Sequence, residues 1–344
     1  MDTRLPFACD YMEGAHPIVM QRLLETNLMK TDVYGADHFS ESAKAKIREA
    51  CEAPDADVWF FVGGTQTNAT VIDSLLRPYQ GVLTAVTGHI SIHEAGAIER
   101  GGHRVMMLPQ KQGKITASSI VKAVETWRCD GNRAHVVMPG MVYLSLPTEF
   151  GTLYSLAELT EISNACHENG LLLYVDGARL AYAFACEEND VWLPDLARLC
   201  DVFYIGGTKC GTLLGEAVVF PKHDLVPNFF SVMKQHGAVL AKGRIAGLQF
   251  DTMFTDGLYM KVCRPAIEAA KKIRAALVEH GYTLAIDSPT NQIFISMTKE
   301  QIDALSENVQ ISYMEEIDEA HTMMRICTGW STTEEDVEKL ISLL

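Results

Sequence analysis

The chain has 344 residues, enough to bury a large core in about two domains. Its composition, 48% hydrophobic and 21% charged, is ordinary for a globular protein, and its net charge of −15 argues against nucleic-acid binding, which needs clustered Lys and Arg. No apolar run approaches the roughly 20 residues of a membrane span, and residues 1–11 lack a signal-peptide core. The nine cysteines have no Cys-x-x-Cys spacing, so we expect reduced thiols, a cytoplasmic location and no metal site.

The N-terminal residues read as an extended segment followed by a helix. Residues 7–16 are loop-like, and Pro17 is a suitable first helical residue for a helix over residues 18–27. Residues 32–35 then form a compact turn that carries the Tyr34 hydroxyl. Taken alone, these segments carry no functional assignment.

A glycine- and threonine-rich turn follows the first predicted strand, residues 58–62. Residues 63–68 read Gly-Gly-Thr-Gln-Thr-Asn and precede an amphipathic helix predicted at residues 69–76. This order favours an anion site, because free backbone N–H groups and the positive end of the helix dipole point at one place. The turn matches neither a dinucleotide fingerprint nor a Walker loop. A plain helix cap at Thr65 or Thr67 is an equal alternative.

Two histidines follow the next predicted strand, residues 82–86. His89 and His93 share a face if this segment is helical, a spacing that can bind a metal. No third ligand is suggested nearby, and Glu94 is expected to point elsewhere. We therefore expect His89 to stack on a planar cofactor and His93 to belong to a helix surface or the core. Further apolar segments occupy residues 105–108 and 136–138, and a polar turn occupies residues 147–151.

Two charged side chains come directly after apolar strands. The strand at residues 171–175 ends at Asp176, with Arg179 three residues further on, and the strand at residues 202–205 leads through two glycines to Lys209. Fully apolar strands are typical of parallel sheets, whose carboxyl ends bind ligands. We therefore expect Asp176 and Lys209 to share a pocket, with the lysine amine desolvated and able to attack a carbonyl. A helix cap or an Arg179 ion pair for Asp176, and a surface position for Lys209, are the alternatives.

Together these features match the requirements of pyridoxal 5′-phosphate: an anion site, a stacking histidine, a buried carboxylate and a strand-end lysine. Their order is similar to that in fold-type I pyridoxal-phosphate enzymes. More closely, the sequence resembles the threonine aldolase (β-eliminating lyase) family over almost the whole chain. The motifs that carry this resemblance are Asp32–Gly35, Gly63–Asn68, His89 with Glu94–Gly96, Val175–Arg179, Thr208-Lys209 and Arg325.

The chain also departs from the best-known threonine aldolases. Where those have Glu-Asn-Thr-His-Asn, this chain has Leu146–Phe150, and its Thr-Glu-x-Gly-x-x-Tyr pattern resembles the phenylserine aldolase branch. Cys210 follows Lys209, and Cys9 stands at what looks like a serine position near the substrate carboxylate. These departures leave the side-chain specificity open.

The resemblance implies a role for each matching residue. Lys209 is expected to hold the cofactor as a Schiff base, Asp176 to pair with the pyridinium nitrogen and His89 to stack on the ring. These three are the expected catalytic residues. The cofactor-binding set is completed by Gly64, Thr65, Gln66, Arg179 and Thr208, and the expected substrate-binding residues are Arg179, Arg325, Tyr34 and Glu149.

The activity implied by the resemblance is cleavage of β-hydroxy-α-amino acids of the threonine, allo-threonine or phenylserine type to glycine and an aldehyde. His89 and Glu149 are the candidate bases for the β-hydroxyl proton. Another reaction on the same scaffold, β-elimination or racemisation, is an alternative, and so is a catalytically silent ligand-binding relative. A silent relative is disfavoured by the joint retention of Lys209, Asp176, His89 and Arg325, because binding alone needs no Schiff-base lysine. A dinucleotide oxidoreductase is disfavoured by the missing glycine fingerprint.

The predicted fold is α/β, with a mostly parallel sheet, helices on both faces and a small C-terminal α+β domain. We expect a large cofactor-binding domain over residues 15–248 and a small domain over residues 249–344, with an N-terminal arm, residues 1–14, packing near the small domain. Helices near residues 265–280 and 334–344 should surround strands near residues 293–297 and 323–327.

The resemblance also implies a homodimer or homotetramer with shared active sites. In that assembly Lys242 and Arg244 would reach a neighbouring subunit's phosphate. A solvated basic turn is an equal alternative for this pair.

Overall fold

Strands and helices alternate along the part of the chain that the computed structural model describes, residues 3–344. The strands are β1 Leu5–Pro6, β2 Asp57–Phe61, β3 Gln80–Ala85, β4 Val105–Leu108, β5 Met138–Ser145, β6 Leu172–Gly177, β7 Val202–Gly206, β8 Glu216–Phe220, β9 Thr283–Ile286, β10 Gln292–Thr298, β11 Val309–Gln310, β12 Ser312–Glu316 and β13 His321–Cys327.

The α-helices are α1 Pro17–Glu25, α2 His38–Ala50, α3 Gly64–Leu75, α4 His89–Ile92, α5 Ala97–Arg100, α6 Ala117–Cys129, α7 Leu156–Glu168, α8 Leu180–Ala185, α9 Leu193–Leu199, α10 Phe229–Gln235, α11 Arg244–Met253, α12 Arg264–Glu279, α13 Lys299–Ser306 and α14 Glu334–Ile341. Short 3-10 turns occupy Arg133–His135 and Thr255–Gly257. Of the helices within residues 3–344, none combines the length and the apolar character that crossing a membrane requires.

Seven strands form the large sheet, in the order β2-β8-β7-β6-β5-β3-β4. The pairs β3–β4, β3–β5, β5–β6 and β6–β7 are parallel, whereas β8 runs antiparallel to both of its neighbours. The carboxyl ends of all strands except β8 therefore meet at one edge of the sheet. This arrangement confirms the predicted α/β fold with a mostly parallel sheet.

Both faces of this sheet are covered, as the apolar strands require. Alternate residues of β6 belong to different hydrophobic clusters: Leu173 and Val175 pack in one and Tyr174 in the other. The same alternation separates Phe203 from Tyr204 in β7. Successive side chains on a strand point to opposite faces, so the two clusters are the two layers of helix-covered core.

A second, antiparallel sheet forms in the C-terminal part of the chain, in the order β12-β13-β10-β9. Helices α12 and α14 pack on it around a third hydrophobic cluster that includes the buried Phe7. The N-terminal segment joins this region, because β1 pairs in parallel with β11 and the Cys327 N–H donates to the Phe7 carbonyl at 2.8 Å. Met1 and Asp2 of the predicted arm lie outside the described residues. The predicted boundary at residues 248–249 falls within α11, and the division into two domains stays a prediction.

Several element predictions need correction. Helix α3 begins at Gly64, five residues before the predicted start, so the glycine–threonine segment is its first turn and not a separate loop. Strand β5 begins at Met138, where the predicted segment ended, and continues through Pro139 and Gly140 to Ser145. Strand β8 follows the lysine loop and was not predicted. It starts with Glu216, which lines a cavity at the edge of the sheet.

Candidate active site

A cavity of about 250 Å³ lies at the carboxyl-end edge of the large sheet. Parallel strands present their carboxyl ends together, so residues that follow β2, β3, β5, β6 and β7 converge there although they are far apart in sequence. The structure brings these predicted site residues together in the cavity wall: Gly64, Thr65, His89, Glu149, Asp176, Arg179, Thr208 and Lys209.

Asp176 is fixed in this wall by donors from three elements. Its Oδ1 accepts from the Ala178 backbone N–H at 3.0 Å, and its Oδ2 accepts from Asn68 Nδ2 at 3.2 Å and from the Tyr143 hydroxyl. Burial, reinforced by the charge of Asp176, raises the pKa of Tyr143 well above its ordinary value, so this phenol remains a neutral donor. The Asp176 carboxylate is buried at the cavity floor and does not pair with Arg179.

His89 lies at the start of α4 and is oriented by Glu94. Its Nδ1 is 2.8 Å from Glu94 Oε1, so the expectation that Glu94 points elsewhere is wrong. The short helix ends at Ile92, and the chain then brings the Glu94 carboxylate to the Nδ1 edge of the His89 ring, where it also accepts from Asn68 at 2.7 Å. Burial alone would lower the pKa of His89, but the hydrogen bond to Glu94 and the nearby Glu149 raise it above the ordinary value.

The metal-site alternative for the two histidines is not supported. Among residues 3–344, no group of three or more His, Cys, Asp or Glu side chains is arranged to hold a metal ion. His93 is exposed, and its ring lies 5.6 Å from the ring of His89.

Lys209 is partly buried in the cavity wall on the loop after β7. The Tyr182 hydroxyl donates to the Lys209 carbonyl at 2.9 Å and fixes this loop from below. Lys209 Nζ lies 5.6 Å from the centre of the Tyr11 ring, a contact that sequence reasoning did not identify. The lysine therefore stands between the buried Asp176 side of the cavity and the aromatic side chain at its mouth.

The first turn of α3 leaves backbone donors free at the cavity. The N-cap is Gly63 and makes no side-chain capping bond, so the predicted alternative of a plain cap at Thr65 or Thr67 is wrong. Thr67 Oγ1 instead donates back to the Gly63 carbonyl at 3.0 Å. A Cβ at Gly64 would lie 3.1 Å from the Tyr204 hydroxyl, so glycine gives the backbone its close approach. An uncapped helix start with small residues suits an anion.

Gln66 is placed differently from the other predicted anion-site residues. It lines a separate cavity together with Ala69 and Arg100, and its Oε1 is buried without a hydrogen-bond partner among the described residues.

Glu216 is a site residue that sequence reasoning missed. It is 4% exposed and lines the cavity from the first position of β8. Its two carboxyl oxygens accept from the Gly207 N–H at 3.1 Å and from Thr208 Oγ1 at 3.0 Å. Burial raises the pKa of Glu216 to about 8. The available sequence signal was an acidic residue opening an otherwise apolar segment.

Arg179 forms a buried ion pair with Asp10, a second residue that was missed. The Arg179 Nε and Nη2 donate to the two Asp10 oxygens at 2.7 and 3.0 Å, and Asn291 Nδ2 adds a third bond at 3.0 Å. Burial by itself would raise the pKa of Asp10, but Arg179 and Lys209 hold it well below its ordinary value. The arginine fork is thus fixed by the N-terminal arm, with Nη1 the one guanidinium nitrogen outside the ion pair.

Arg325 lies on β13 just beyond the cavity lining. Its Nη1 donates to Gln292 Oε1 at 3.0 Å and its Nη2 to the Ala8 carbonyl at 3.1 Å. Its Nε is buried without a partner among residues 3–344. A buried donor without a partner is rare in proteins, and this nitrogen is covered by protein and does not face the cavity.

The structure of one chain does not bring Tyr34 to its own cavity. Tyr34 has a φ of 58° in the turn after α1, is 46% exposed and lines a separate groove with Phe60 and Phe230. Arg244 is also engaged elsewhere, because it donates to the backbone carbonyls of residues 26 and 29 of its own chain. Lys242 is exposed.

Comparisons with known proteins show which family and fold this chain shares. A family model described as beta-eliminating lyase matches residues 7–310. A low-specificity L-threonine aldolase from Pseudomonas aeruginosa is 30% identical over 306 residues, which cover 87% of this chain and 86% of that protein. A solved threonine aldolase structure from Leishmania major is 38% identical and has a TM-score of 0.95, and the match covers 98% of each chain. An aspartate aminotransferase variant from Thermus thermophilus is 15% identical and has a TM-score of 0.73. The match covers 100% of this chain and 96% of that chain, and it shows a shared fold.

Proposed function

The chain belongs to the beta-eliminating lyase family of pyridoxal-phosphate enzymes, and we propose that it cleaves threonine-type β-hydroxy-α-amino acids to glycine and an aldehyde. The family makes it a carbon–carbon lyase with pyridoxal 5′-phosphate as cofactor. One observation carries the proposal: the uncapped start of α3, the fixed Asp176 carboxylate, the oriented His89 ring and Lys209 all face one cavity.

The donor set of the cavity fits this cofactor. We assign its phosphate to the free N–H groups at Gly64 and Thr65 together with the Thr208 hydroxyl, and its ring nitrogen to Asp176, because a carboxylate held by three donors can keep that nitrogen protonated. When bound, pyridoxal phosphate supplies an electron-withdrawing ring that accepts the electron pair released at the substrate Cα. The amine of Lys209 provides the covalent attachment.

The substrate carboxylate is assigned to the two arginines beyond the ring. Arg325 is assigned because it resembles the family's carboxylate-binding arginine, and Arg179 lines the cavity and offers the Nη1 outside its Asp10 ion pair. A planar guanidinium suits a carboxylate, and an ion pair that fixes Arg179 removes much of the entropy cost of binding. The carboxylate contact holds the Cα–Cβ bond in one orientation.

Cleavage of that bond requires removal of the β-hydroxyl proton, and His89 is the base we assign. Its Nδ1 faces Glu94, so in the neutral ring with Nδ1 protonated the lone pair is on Nε2. As the proton leaves the hydroxyl group and the Cα–Cβ bond breaks, its electron pair goes to Cα and the β-carbon becomes the carbonyl carbon of the leaving aldehyde. Glu149, which accepts from Ser145 Oγ at 2.9 Å in the same wall, is the second candidate for this role or for binding the substrate hydroxyl.

The substrate range proposed is threonine, allo-threonine and phenylserine. The Pseudomonas relative is described as a low-specificity L-threonine aldolase, and the Thr148–Tyr154 pattern resembles the phenylserine branch. The cytoplasmic location remains a proposal from composition.

The test is product analysis with the three amino acids. We expect equimolar glycine and aldehyde, acetaldehyde from the first two and benzaldehyde from phenylserine. Lys209→Ala should abolish turnover, whereas the matched control Lys222→Ala, an exposed lysine after β8, should keep it. Ammonia and a keto acid as products, or turnover without Lys209, would contradict the proposal.

We further propose a homodimer or homotetramer with shared active sites. Segment 18–34 exposes a row of large apolar side chains, including Ile18, Leu24, Leu28, Val33 and Tyr34. Large exposed apolar side chains concentrated in one segment favour an interface between subunits. Tyr34, which is remote from its own cavity, would then contact the substrate of the neighbouring subunit.

A further inference from the structure

Glu216 is a buried carboxyl group in the cavity for which the proposed reaction has no role. In the sheet it pairs with Phe61 of β2 on one side and Gly206 of β7 on the other. The turn after Phe61 is the helix start assigned to the phosphate, and the segment after Gly206 carries Thr208. Glu216 therefore stands between the two segments that are proposed to hold the cofactor phosphate.

The hydrogen bonds of Thr208 define what Glu216 does to that site. Thr208 Oγ1 accepts from the Gly215 N–H at 3.0 Å and gives its one hydrogen to Glu216 Oε1 at 3.0 Å. A hydroxyl group has a single hydrogen and two acceptor positions. While Glu216 is ionised, Thr208 has no hydrogen to donate to a phosphate oxygen.

The groups facing Glu216 do not settle its charge by themselves. Burial raises its pKa, the hydrogen bonds from Thr208 and Gly207 and the charge of Lys209 lower it, and the charge of Asp176 raises it. The phenols of Tyr174, Tyr204 and Tyr259 also lie within electrostatic reach of Glu216. Burial outweighs these contributions and brings the pKa to about 8, so the acid gains or loses its proton within the working range of proteins. A phosphate dianion placed at the start of α3 adds a like charge and favours the protonated acid further.

We propose that at alkaline pH, where Glu216 is ionised, this residue takes up a proton from solvent when the cofactor phosphate binds, and that its O–H then donates to Thr208 Oγ1. The hydrogen bond between the two residues reverses. The Thr208 hydroxyl keeps its bond from the Gly215 N–H and turns its hydrogen to a phosphate oxygen. One proton is bound, and no heavy-atom bond changes. Glu216 is thus a positioning residue that couples cofactor binding to proton uptake.

This inference rests on the proposed position of the phosphate but not on the proposed substrate. It is tested by titrating the apoprotein with pyridoxamine 5′-phosphate, which lacks the carbonyl that reacts with Lys209. Calorimetry at pH 7 and pH 9, in two non-phosphate buffers of different ionisation enthalpy, gives both the affinity and the number of protons bound.

For the wild type at pH 9 we expect uptake of up to one proton and an affinity that falls by up to about tenfold per pH unit above the Glu216 pKa. In Glu216→Gln the amide donates to Thr208 as the neutral acid would, so this uptake and this part of the pH dependence should disappear while tight binding remains. The matched control Glu187→Gln removes an exposed carboxylate on the α8–α9 connection and should behave as the wild type.

A third variant separates a hydrogen-bond relay from a simple charge effect. Thr208→Val should weaken binding at both pH values, because the phosphate loses its donor. Equal proton uptake in the wild type and Glu216→Gln, or unchanged affinity in Thr208→Val, would overturn the relay. Failure of the wild type to bind pyridoxamine phosphate at pH 7 would overturn the phosphate site itself, and with it the relay. Should Glu216→Gln not fold, absence of proton uptake in the wild type would still refute the inference.

Discussion

His89 and Glu94 show how one hydrogen bond can set the pH range of a proposed base. The bond fixes Nδ1 and, with Glu149 nearby, raises the pKa of His89 although burial alone would lower it. A base must be unprotonated to accept a proton, so a raised pKa makes the active form available only at higher pH. In the pH profile of kcat/KM, the acidic limb should therefore have its midpoint at a higher pH than an ordinary histidine would give.

Replacing the carboxylate tests this directly. In Glu94→Gln the negative charge disappears, so the pKa of His89 should fall and the acidic limb should move to lower pH. The plateau should fall by less than in His89→Ala, where loss of a general base costs about 10²–10⁴-fold. The control is Asp73→Asn, which removes a carboxylate 2.8 Å from His236, outside the cavity. An unmoved limb in Glu94→Gln would remove His89 from the role of base.

Glu216 predicts a free energy of unfolding that falls as pH rises, whereas a salt-bridged acid makes this free energy rise with pH. Its pKa is raised to about 8 in the folded chain, against 4.5 for an ordinary glutamate, so the folded state binds one proton more than the unfolded state between these values. The contribution of Glu216 to stability is present at low pH and is lost as pH rises toward 8. In denaturant titrations of the apoprotein, Glu216→Gln should lose less stability than the wild type between pH 5 and 8, by a few kcal/mol. If the free energies of unfolding of the two proteins change with pH in parallel, the raised pKa of Glu216 is contradicted.

At the scale of elements, the N-terminal arm is tied to the cavity by a buried ion pair. Asp10 anchors it through Arg179 and Asn291, and β1 pairs with β11 at its other end. Removing one partner of a buried ion pair leaves an uncompensated charge, which costs about 3–5 kcal/mol. Asp10→Asn should therefore lower the free energy of unfolding by several kcal/mol.

The matched control for this prediction is Asp303→Asn. Asp303 forms an exposed i,i+4 pair with Lys299 at 2.9 Å, and such pairs contribute about 0.3–0.5 kcal/mol. Urea titrations of both variants measure the difference. A similar small loss in both would show that the arm is not held by Asp10.

The sequence predicted correctly those strands that are marked by a continuous run of apolar side chains. The apolar runs of β4, β6 and β7 are located to within a residue or two, because burial on both faces selects continuous apolar strands. The extent of β5 was missed because Pro139 and Gly140 disfavour a strand. The sheet requires that glycine, since a Cβ there would lie 2.8 Å from Gln80 and Leu76 side-chain atoms.

Contacts between side chains that are distant in sequence could not be predicted from these patterns. The convergence of strand ends predicted a shared pocket for Asp176 and Lys209, and the structure brings both into one cavity with His89. Nothing in the spacing of the sequence indicates that Asp10 meets Arg179 or that Glu216 meets Thr208, because these contacts depend on how the arm returns and on the reversed direction of β8.

At the scale of the whole molecule, the position of Tyr34 argues for catalysis by an assembly. The family resemblance implies a substrate contact for Tyr34, but in its own chain Tyr34 lines a separate groove. In the same segment Leu24 and Leu28 are 78% and 91% exposed. Both facts are satisfied if segment 18–34 lies against a second copy and each Tyr34 enters the neighbouring cavity. Two-fold symmetry would then place two equivalent sites across one interface.

Subunit mixing distinguishes this arrangement from a role for Tyr34 in its own chain. Suppose that Lys209→Ala and Tyr34→Ala are each nearly inactive, and that their subunits are unfolded together and refolded. If Tyr34 acts across the interface, each hybrid dimer has one site with an intact Lys209 and an intact Tyr34, and one site lacking both. Random pairing should then restore about a quarter of the wild-type activity. If Tyr34 acts within its own chain, no hybrid contains an intact site, and the mixture should stay as inactive as its parents.

The interface itself is tested by Leu28→Glu, which places a charge on an exposed apolar position of segment 18–34. If this segment forms the interface, size-exclusion chromatography with light scattering should show loss of the dimer, and activity should be lost with it. An intact dimer would place the interface elsewhere.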